Sequence, residues 1–375
     1  MNTFDAIVVG GGIIGASLAF ELATRELSVL LIDRQTPGQE ASWAAAGMLA
    51  PEPESAEDIH VFPLASMSLA SYPRFVEAVE EASGLPAQFR RDGTLKLYFG
   101  ADGESERDRA AASYRSAGLA IELVSMVQAR EIEPSIADNA TAAGWLPYEC
   151  SIDPRALTHA TLTAAERKGV EFAHGTAVDR ALTRDGRCDG VMAGGETFHS
   201  KHVIIAAGCF SAGMDGMSRY APTSPVRGQI VALQPAQGAP KRVLRADHGY
   251  VVPRTDGRII AGSTSENVGF EKQVTTEGIQ QILRAAKELA PSLANAVIVD
   301  AWSGLRPDTP DHLPILGPTD IEGLWIATGH YRNGILLAPG TARVMQEWIV
   351  DGTPSLALEK FSPLRFAAEQ RTAAG

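Results

Sequence analysis

The chain opens on an apolar run of buried-strand length, Ala6-Ile7-Val8-Val9, which Gly10-Gly11-Gly12 breaks. From Ala16 to Arg25 the period changes: Leu18 and Leu22, and Ala19 and Ala23, repeat four residues apart on one side of a helix. A second apolar run, Ser28-Val29-Leu30-Leu31-Ile32, ends at Asp33. Two apolar strands around one helix predict a parallel βαβ unit.

Beyond it, the small residues of Ala41-Ser42-Trp43-Ala44-Ala45-Ala46-Gly47-Met48 either let backbone approach something flat and large or begin a tight helix. The spacing predicts helices over 65–83, 102–117, 153–168 (capped by Gly169), 276–290 and 336–350. It predicts strands over 90–98, 120–124, 170–172, around 177–178, and over 202–208, 226–233, 249–262 and 324–327. There is no internal repeat and no low-complexity tract, and the last dozen residues read as a loose tail.

The length, 375 residues, suits two intimately packed domains or one large one, and 45% hydrophobic with 21% charged residues is ordinary for a globular protein. A net charge of −12 repels phosphate backbones and anionic lipids, so nucleic acid is not an expected partner. An acidic protein that binds an anion must place its cations locally, which draws attention to single arginines. Cys150, Cys188 and Cys209 form no C-x-x-C pair, which argues for reduced thiols in a cytoplasmic protein and against a disulfide framework or a zinc site. No signal peptide, membrane anchor or spanning segment is expected from the hydropathy.

Gly10-x-Gly12-x-x-Gly15 lies between the first strand and helix. Gly10 permits the tight turn, Gly12 lets a diphosphate approach the backbone, and Gly15 lets helix and strand pack closely. The helix start offers N–H groups to the diphosphate. Asp33 ends the second strand, where a carboxylate can accept from a ribose hydroxyl. This arrangement predicts a dinucleotide and does not by itself separate FAD from NAD.

The residues that follow separate them. Asp33-Arg34, Gly38, Glu40-Ala41-Ser42 and Ala45-Ala46-Gly47-Met48 occur in order, followed much later by Trp302-Ser303-Gly304-Leu305-Arg306-Pro307, Asp311-His312-Leu313-Pro314-Ile315-Leu316-Gly317 and the run from Gly329 to Pro339. Together they resemble the D-amino acid oxidase family of flavoproteins, with bacterial glycine oxidases the nearest likeness; the likeness extends to about residue 350 and is thinnest over 52–145. It implies an α/β fold: a discontinuous Rossmann-type FAD-binding domain (1–50, 148–225 and 300–365) with an α+β substrate domain on an antiparallel sheet (51–147 and 226–299).

By resemblance, FAD meets Ile13 and Ile14 in the glycine turn, then Asp33, Arg34, Ala41 and Ser42. It meets Ala46, Gly47 and Met48 beside its ring system, and Val178 at the adenine. The stretch His330, Tyr331, Arg332, Asn333, Gly334, Ile335 and Leu336 covers the pyrimidine edge, and with no cysteine in that turn the flavin is expected to be non-covalent. A glycine-flanked turn entering a helix also places a positive dipole end where a reduced flavin carries negative charge.

Arg306, between Leu305 and Pro307 in an apolar stretch, is the candidate to hold a substrate carboxylate by two parallel hydrogen bonds. Tyr250 and Arg332 join it by resemblance. His248 and His330 are not taken as bases, because water can accept the amine proton and a lone histidine beside a motif is more often structural. Two departures stand out. Arg25-Glu26-Leu27 replaces the usual glycine after the first helix, and Ser265 stands where a glycine oxidase would carry a bulkier apolar residue, implying a roomier or more polar site if it lines one.

The resemblance implies oxidative deamination of glycine, sarcosine or a small D-amino acid, with oxygen as acceptor and hydrogen peroxide as product. It also implies a homo-oligomer and, in bacteria, a supply of glycine imine for the thiazole of thiamine. The alternatives are a dehydrogenase passing electrons to a quinone or protein, an oxidase of 2-hydroxy acids, or a flavin-carrying binding or RNA-modifying protein; the acidic charge disfavours the last of these.

Overall fold

The computed structural model describes residues 3–51 and 60–366, so most of the expected C-terminal tail lies outside the described residues. Two eight-stranded sheets organise the chain. In the first, the order is Ile315–Pro318, Leu324–Thr328, Glu196–Ile205, Thr3–Val9, Val29–Asp33, Glu171–His174. The last five are parallel, and Thr3–Val9 and Val29–Asp33, apolar and largely buried, are joined by a helical crossover as parallel neighbours require. These neighbours come from the start, middle and end of the chain, so the layer is discontinuous in sequence.

Where the sequence suggested one short strand near 177–178, Val178–Arg184, Arg187–Ala193 and Glu196–Ile205 form an antiparallel meander. Glu196–Ile205 starts earlier than the apolar run and stops before Gly208, which begins a 3₁₀ turn over Gly208–Gly213.

The second sheet runs Val297–Asp308, Ser224–Gln234, Ile259–Gly262, Gly249–Pro253, Val243–Ala246, Thr94–Phe99, Ala140–Leu146, Glu122–Val124. It is antiparallel except where Val243–Ala246 meets Thr94–Phe99. The expected strand over 249–262 is a hairpin of two. Residues 300–308 lie in this second sheet, because Val297–Asp308 pairs along its length with Ser224–Gln234. The amphipathic helix Thr276–Leu289 covers one face, burying Ile282, Ala286 and Leu289 against Val231, Val251 and Ala261.

The helix Ile13–Thr24 starts at the glycine turn, three residues earlier than the apolar spacing indicates. It packs in one core with helices Phe62–Ser83, Pro154–Arg167 and Gly334–Asp351. Ser68 Oγ donates to the Leu336 carbonyl at 2.6 Å, and the Tyr72 hydroxyl donates to that of Ile335, so Phe62–Ser83 anchors the C-terminal helix start. Glu26 takes the place of the missing glycine after the first helix in a left-handed conformation, φ 64°.

Candidate active site

One cavity of about 1220 Å³ lies between the two sheets. Its first end is the glycine turn. Gly10 has φ +107°, and a β-carbon there would sit 2.5 Å from the Ala206 carbonyl oxygen. At Gly15 a β-carbon would fall 1.9 Å from the Gly10 carbonyl oxygen, so Gly15 is the contact of helix on strand and does not line the cavity. At Gly12, by contrast, a β-carbon would meet only Ser42 Oγ at 3.3 Å. This is a cradle that a ligand can fill and a side chain would obstruct.

Asp33 accepts from the Gly11 N–H at 2.7 Å through one carboxylate oxygen and from Gln35 N–H at 2.9 Å through the other. It therefore fixes the turn as well as facing the cavity. Ser42 Oγ accepts from Ile13 N–H at 2.9 Å. Ile13, Ile14, Ala41 and Ser42 line this end, with Val178 beyond Asp33. Arg34 lines it too, lying 3.5 Å over the Phe210 ring and paired with Glu40 at 2.6 Å.

The middle is bordered by Ala46, Gly47 and Met48 on one side and by His330, Tyr331, Arg332, Asn333, Gly334 and Ile335 on the other. Asn333 immediately precedes the helix Gly334–Asp351, and the Tyr331 N–H donates to the Pro307 carbonyl at 2.9 Å, tying this turn to the second sheet. Leu336 is not on the wall. It is buried in the core, one residue past Ile335 and so turned about 100° around the helix.

The far end belongs to the second sheet. Lys96, Arg245, Tyr250, Gly262, Ile230 and Trp302 are successive partners across it, one row of side chains on one face. Tyr250 lies across Gly262, whose β-carbon would be 2.5 Å from the Tyr250 hydroxyl. Arg306, four residues along the strand from Trp302, points to the same face. Its Nη2 donates to Ser263 Oγ at 2.8 Å, and its Nη1 to the carbonyls of Thr264 at 3.1 Å and Arg227 at 3.4 Å. Gly228 leaves the room for it. Glu266 braces this support, bonded to Arg227, Thr264 and, at 2.8 Å, Gln229. Ser265 lines the cavity, and Arg332 is exposed at its edge with its guanidinium 5.1 Å from the Tyr331 ring centre.

His330 is buried, and burial pushes its imidazole down to about 3; its Nε2 meets Thr341 Oγ1 at 3.0 Å. The ring stays neutral and hydrogen-bonded. Burial pushes the Cys209 thiol on the cavity wall up to about 12, so it stays protonated. Among the described residues no cluster of His, Cys, Asp and Glu could hold a metal ion, and no helix is long and apolar enough to cross a membrane.

The structure thus brings the glycine turn, the 46–48 segment, the 330–335 turn, Tyr250 and Arg306 to one cavity, from positions up to 325 residues apart in the sequence. Sequence reasoning did not find Ser263, Thr264, Glu266, Lys96 or Arg245: Lys96 and Arg245 meet by pairing between remote strands, and Ser263, Thr264 and Glu266, just past the strand Ile259–Gly262, meet Arg306 or Arg227 from 39 to 43 residues away.

Against known proteins, the family model described as FAD dependent oxidoreductase (DAO) matches residues 5–348. A bifunctional protein ThiO/ThiG from Trichormus variabilis is 34% identical over 99% of this chain and 56% of its own. The chain spans about half the length of the first relatives of this kind. A glycine oxidase from Geobacillus kaustophilus is 32% identical over 97% of both chains. The crystal structure of glycine oxidase from that organism superposes with a TM-score of 0.91 at 30% identity, covering 97% of this chain and 99% of the other.

Proposed function

We propose that this chain, which belongs to the DAO family of FAD-dependent oxidoreductases, oxidises the carbon–nitrogen bond of glycine, sarcosine or a small D-amino acid. The observation that carries the reading is Arg306: a guanidinium held by Ser263, Thr264 and Arg227 in the same cavity as a dinucleotide turn. Non-covalently bound FAD supplies the acceptor for the hydride leaving the substrate's α-carbon. The residues do the rest by binding and orienting.

Arg306 takes the substrate carboxylate by two parallel bonds, and the Tyr250 hydroxyl gives a further donor beside it. Arg332 adds positive charge at the cavity edge, for the carboxylate or for the cofactor's pyrimidine end. The amine must lose a proton before oxidation. His330 cannot take it, since burial holds the ring neutral far below its ordinary value and its nitrogen faces Thr341. His248 is partly exposed beside Glu288 at 3.2 Å. Solvent is the acceptor in this reading. The imine then hydrolyses to an oxo acid and ammonia or an amine, and with oxygen as final acceptor the other product is hydrogen peroxide.

The relatives named glycine oxidase motivate the substrate, and the family resemblance of the sequence motivates a supply of glycine imine for thiamine. Ser265 on the wall favours a somewhat larger or more polar substituent than hydrogen. The proposed division assigns 1–50, 148–225 and 309–365 to cofactor binding and 51–147 and 226–308 to the substrate, with 300–308 moved to the sheet in which they pair. A cytoplasmic location, supported by three free buried cysteines, and a homo-oligomer complete the proposal. Incubation with glycine in air tests it: glyoxylate, ammonia and peroxide should form in equal amounts. Turnover with an artificial electron acceptor but not with oxygen would assign a dehydrogenase instead.

A further inference from the structure

The segment Trp43–Met48 is gripped from behind at four carbonyls. Arg155 Nε donates to the Trp43 carbonyl at 3.1 Å, and Trp302 Nε1 to that of Ala44 at 3.1 Å. Arg254 Nη2 donates to the Ala46 carbonyl at 2.7 Å, and Ile152 N–H to that of Gly47 at 2.9 Å. Trp302 lies in the second sheet and Arg254 just past its strand Gly249–Pro253, while Ile152 and Arg155 flank the start of helix Pro154–Arg167, so both halves of the fold hold the segment.

Aromatic packing reinforces the grip. The Arg155 guanidinium lies 3.5 Å over the Trp43 ring and 4.3 Å over that of Trp302. Gly304 lets the strand close in, since a β-carbon there would be 2.3 Å from Ala44 Cβ. Arg254 is buried, 3.5 Å from Asp153, and also reaches the Ile152 carbonyl at 3.4 Å. Burial lowers its guanidinium only to about 10, so the cation persists at neutral pH.

In a trans peptide the carbonyl and the next N–H point in opposite directions. The partners of the Ala44, Ala46 and Gly47 carbonyls lie outside the cavity lining, so the following N–H groups, of Ala45, Gly47 and Met48, point the opposite way from those partners. These three residues line the cavity. Donors fixed in this way need no reorganisation when charge develops beside them.

We propose that Arg254 and Trp302 are positioning residues, which set the ring end of the cofactor site through the carbonyls of Ala46 and Ala44 without touching the cofactor. The inference rests on the reading that residues 46–48 border the ring system of FAD while the glycine turn holds its diphosphate. It predicts that loosening either grip weakens the hold on the ring end and leaves the ADP half as it was.

The experiment displaces FAD from the holoenzyme with ADP. The concentration of ADP that releases half of the flavin at fixed total FAD reads the ratio of the two affinities, so a general loss of stability leaves it unchanged. Trp302→Phe keeps the ring and removes the indole donor. Arg254→Lys keeps the charge beside Asp153 and loses the planar fork. Both variants should lower the half-release concentration about tenfold, a shift that corresponds to about 1.4 kcal/mol in relative affinity. An unshifted half-release concentration in both, or full retention by Arg254→Lys, overturns the proposal and leaves the parent reading standing. Wild-type flavin that ADP does not displace at any concentration refutes the shared dinucleotide site, and the clamp with it.

Discussion

Replacing Arg306 by Met removes the guanidinium while keeping much of its apolar bulk. Two charge-assisted hydrogen bonds to a carboxylate contribute roughly 1.5–3 kcal/mol each. Arg306 is only half-buried, so solvent compensates part of the loss, and about 3–4 kcal/mol is the expected net cost. That is about 10²–10³-fold in kcat/KM. Because the carboxylate is equally charged in the ground and transition states, most of the loss should fall on KM. The Arg227 and Thr264 carbonyls and Ser263 Oγ lose a donor, but they lie in or just past strands of the second sheet, away from the glycine turn, so the protein should remain yellow. Steady-state oxygen uptake with glycine and sarcosine, beside the visible spectrum, measures both effects. Arg306→Lys, which keeps the charge but not the fork, should fall between the two. A kcat/KM for Arg306→Met within about threefold of wild type would refute the assignment, since so small a change is under 1 kcal/mol.

Three further outcomes follow from the geometry. Gly12→Ala should fold normally and bind FAD at least about tenfold more weakly, whereas Gly15→Ala, whose β-carbon would lie 1.9 Å from the Gly10 carbonyl oxygen, should lose stability as well; thermal melts and flavin titration separate the two. His330 carries a depressed imidazole, so its contribution is complete above its ordinary value of 6.5 and is lost as pH falls toward about 3, reaching about 2 kcal/mol at pH 5. His330→Gln should flatten the acid limb of the stability curve by that amount, and an unchanged limb would show that the ring is not held neutral. Ser265→Leu should shift preference toward glycine over sarcosine and D-alanine by several-fold, read from kcat/KM ratios; an unchanged ratio would take Ser265 out of the substrate's reach.

The glycine turn was legible because its elements are local: strand, three glycines, helix and Asp33 lie within one stretch of chain whose periods change visibly. Arg306 could be singled out because a cation between apolar neighbours needs a reason, although its strand was not recognised. Val297–Asp308 hides that strand, since its first four residues are exposed and Gly304 and Pro307 interrupt the alternation. Of the Val178–Ile205 meander only the two ends, near 177–178 and from residue 202, were legible, because the exposed faces of Val178–Arg184 and Arg187–Ala193 carry few apolar positions. Leu336 was placed on the wall by resemblance, and the helical rotation after Ile335 turns it into the core. Ser263, Glu266, Trp302 Nε1 and Arg254 act through partners 39 to 258 residues away, a relation that no local pattern carries.

In the proposed function an amino acid delivers a hydride to FAD held in this cavity. Anaerobic mixing of the purified holoenzyme with glycine, sarcosine and D-alanine, followed through the visible flavin band, tests it without reference to the final acceptor. At least one of the three should bleach the flavin, with colour returning and peroxide appearing when air is admitted. A band that stays unbleached with all three, in protein that carries its full complement of FAD, would contradict it.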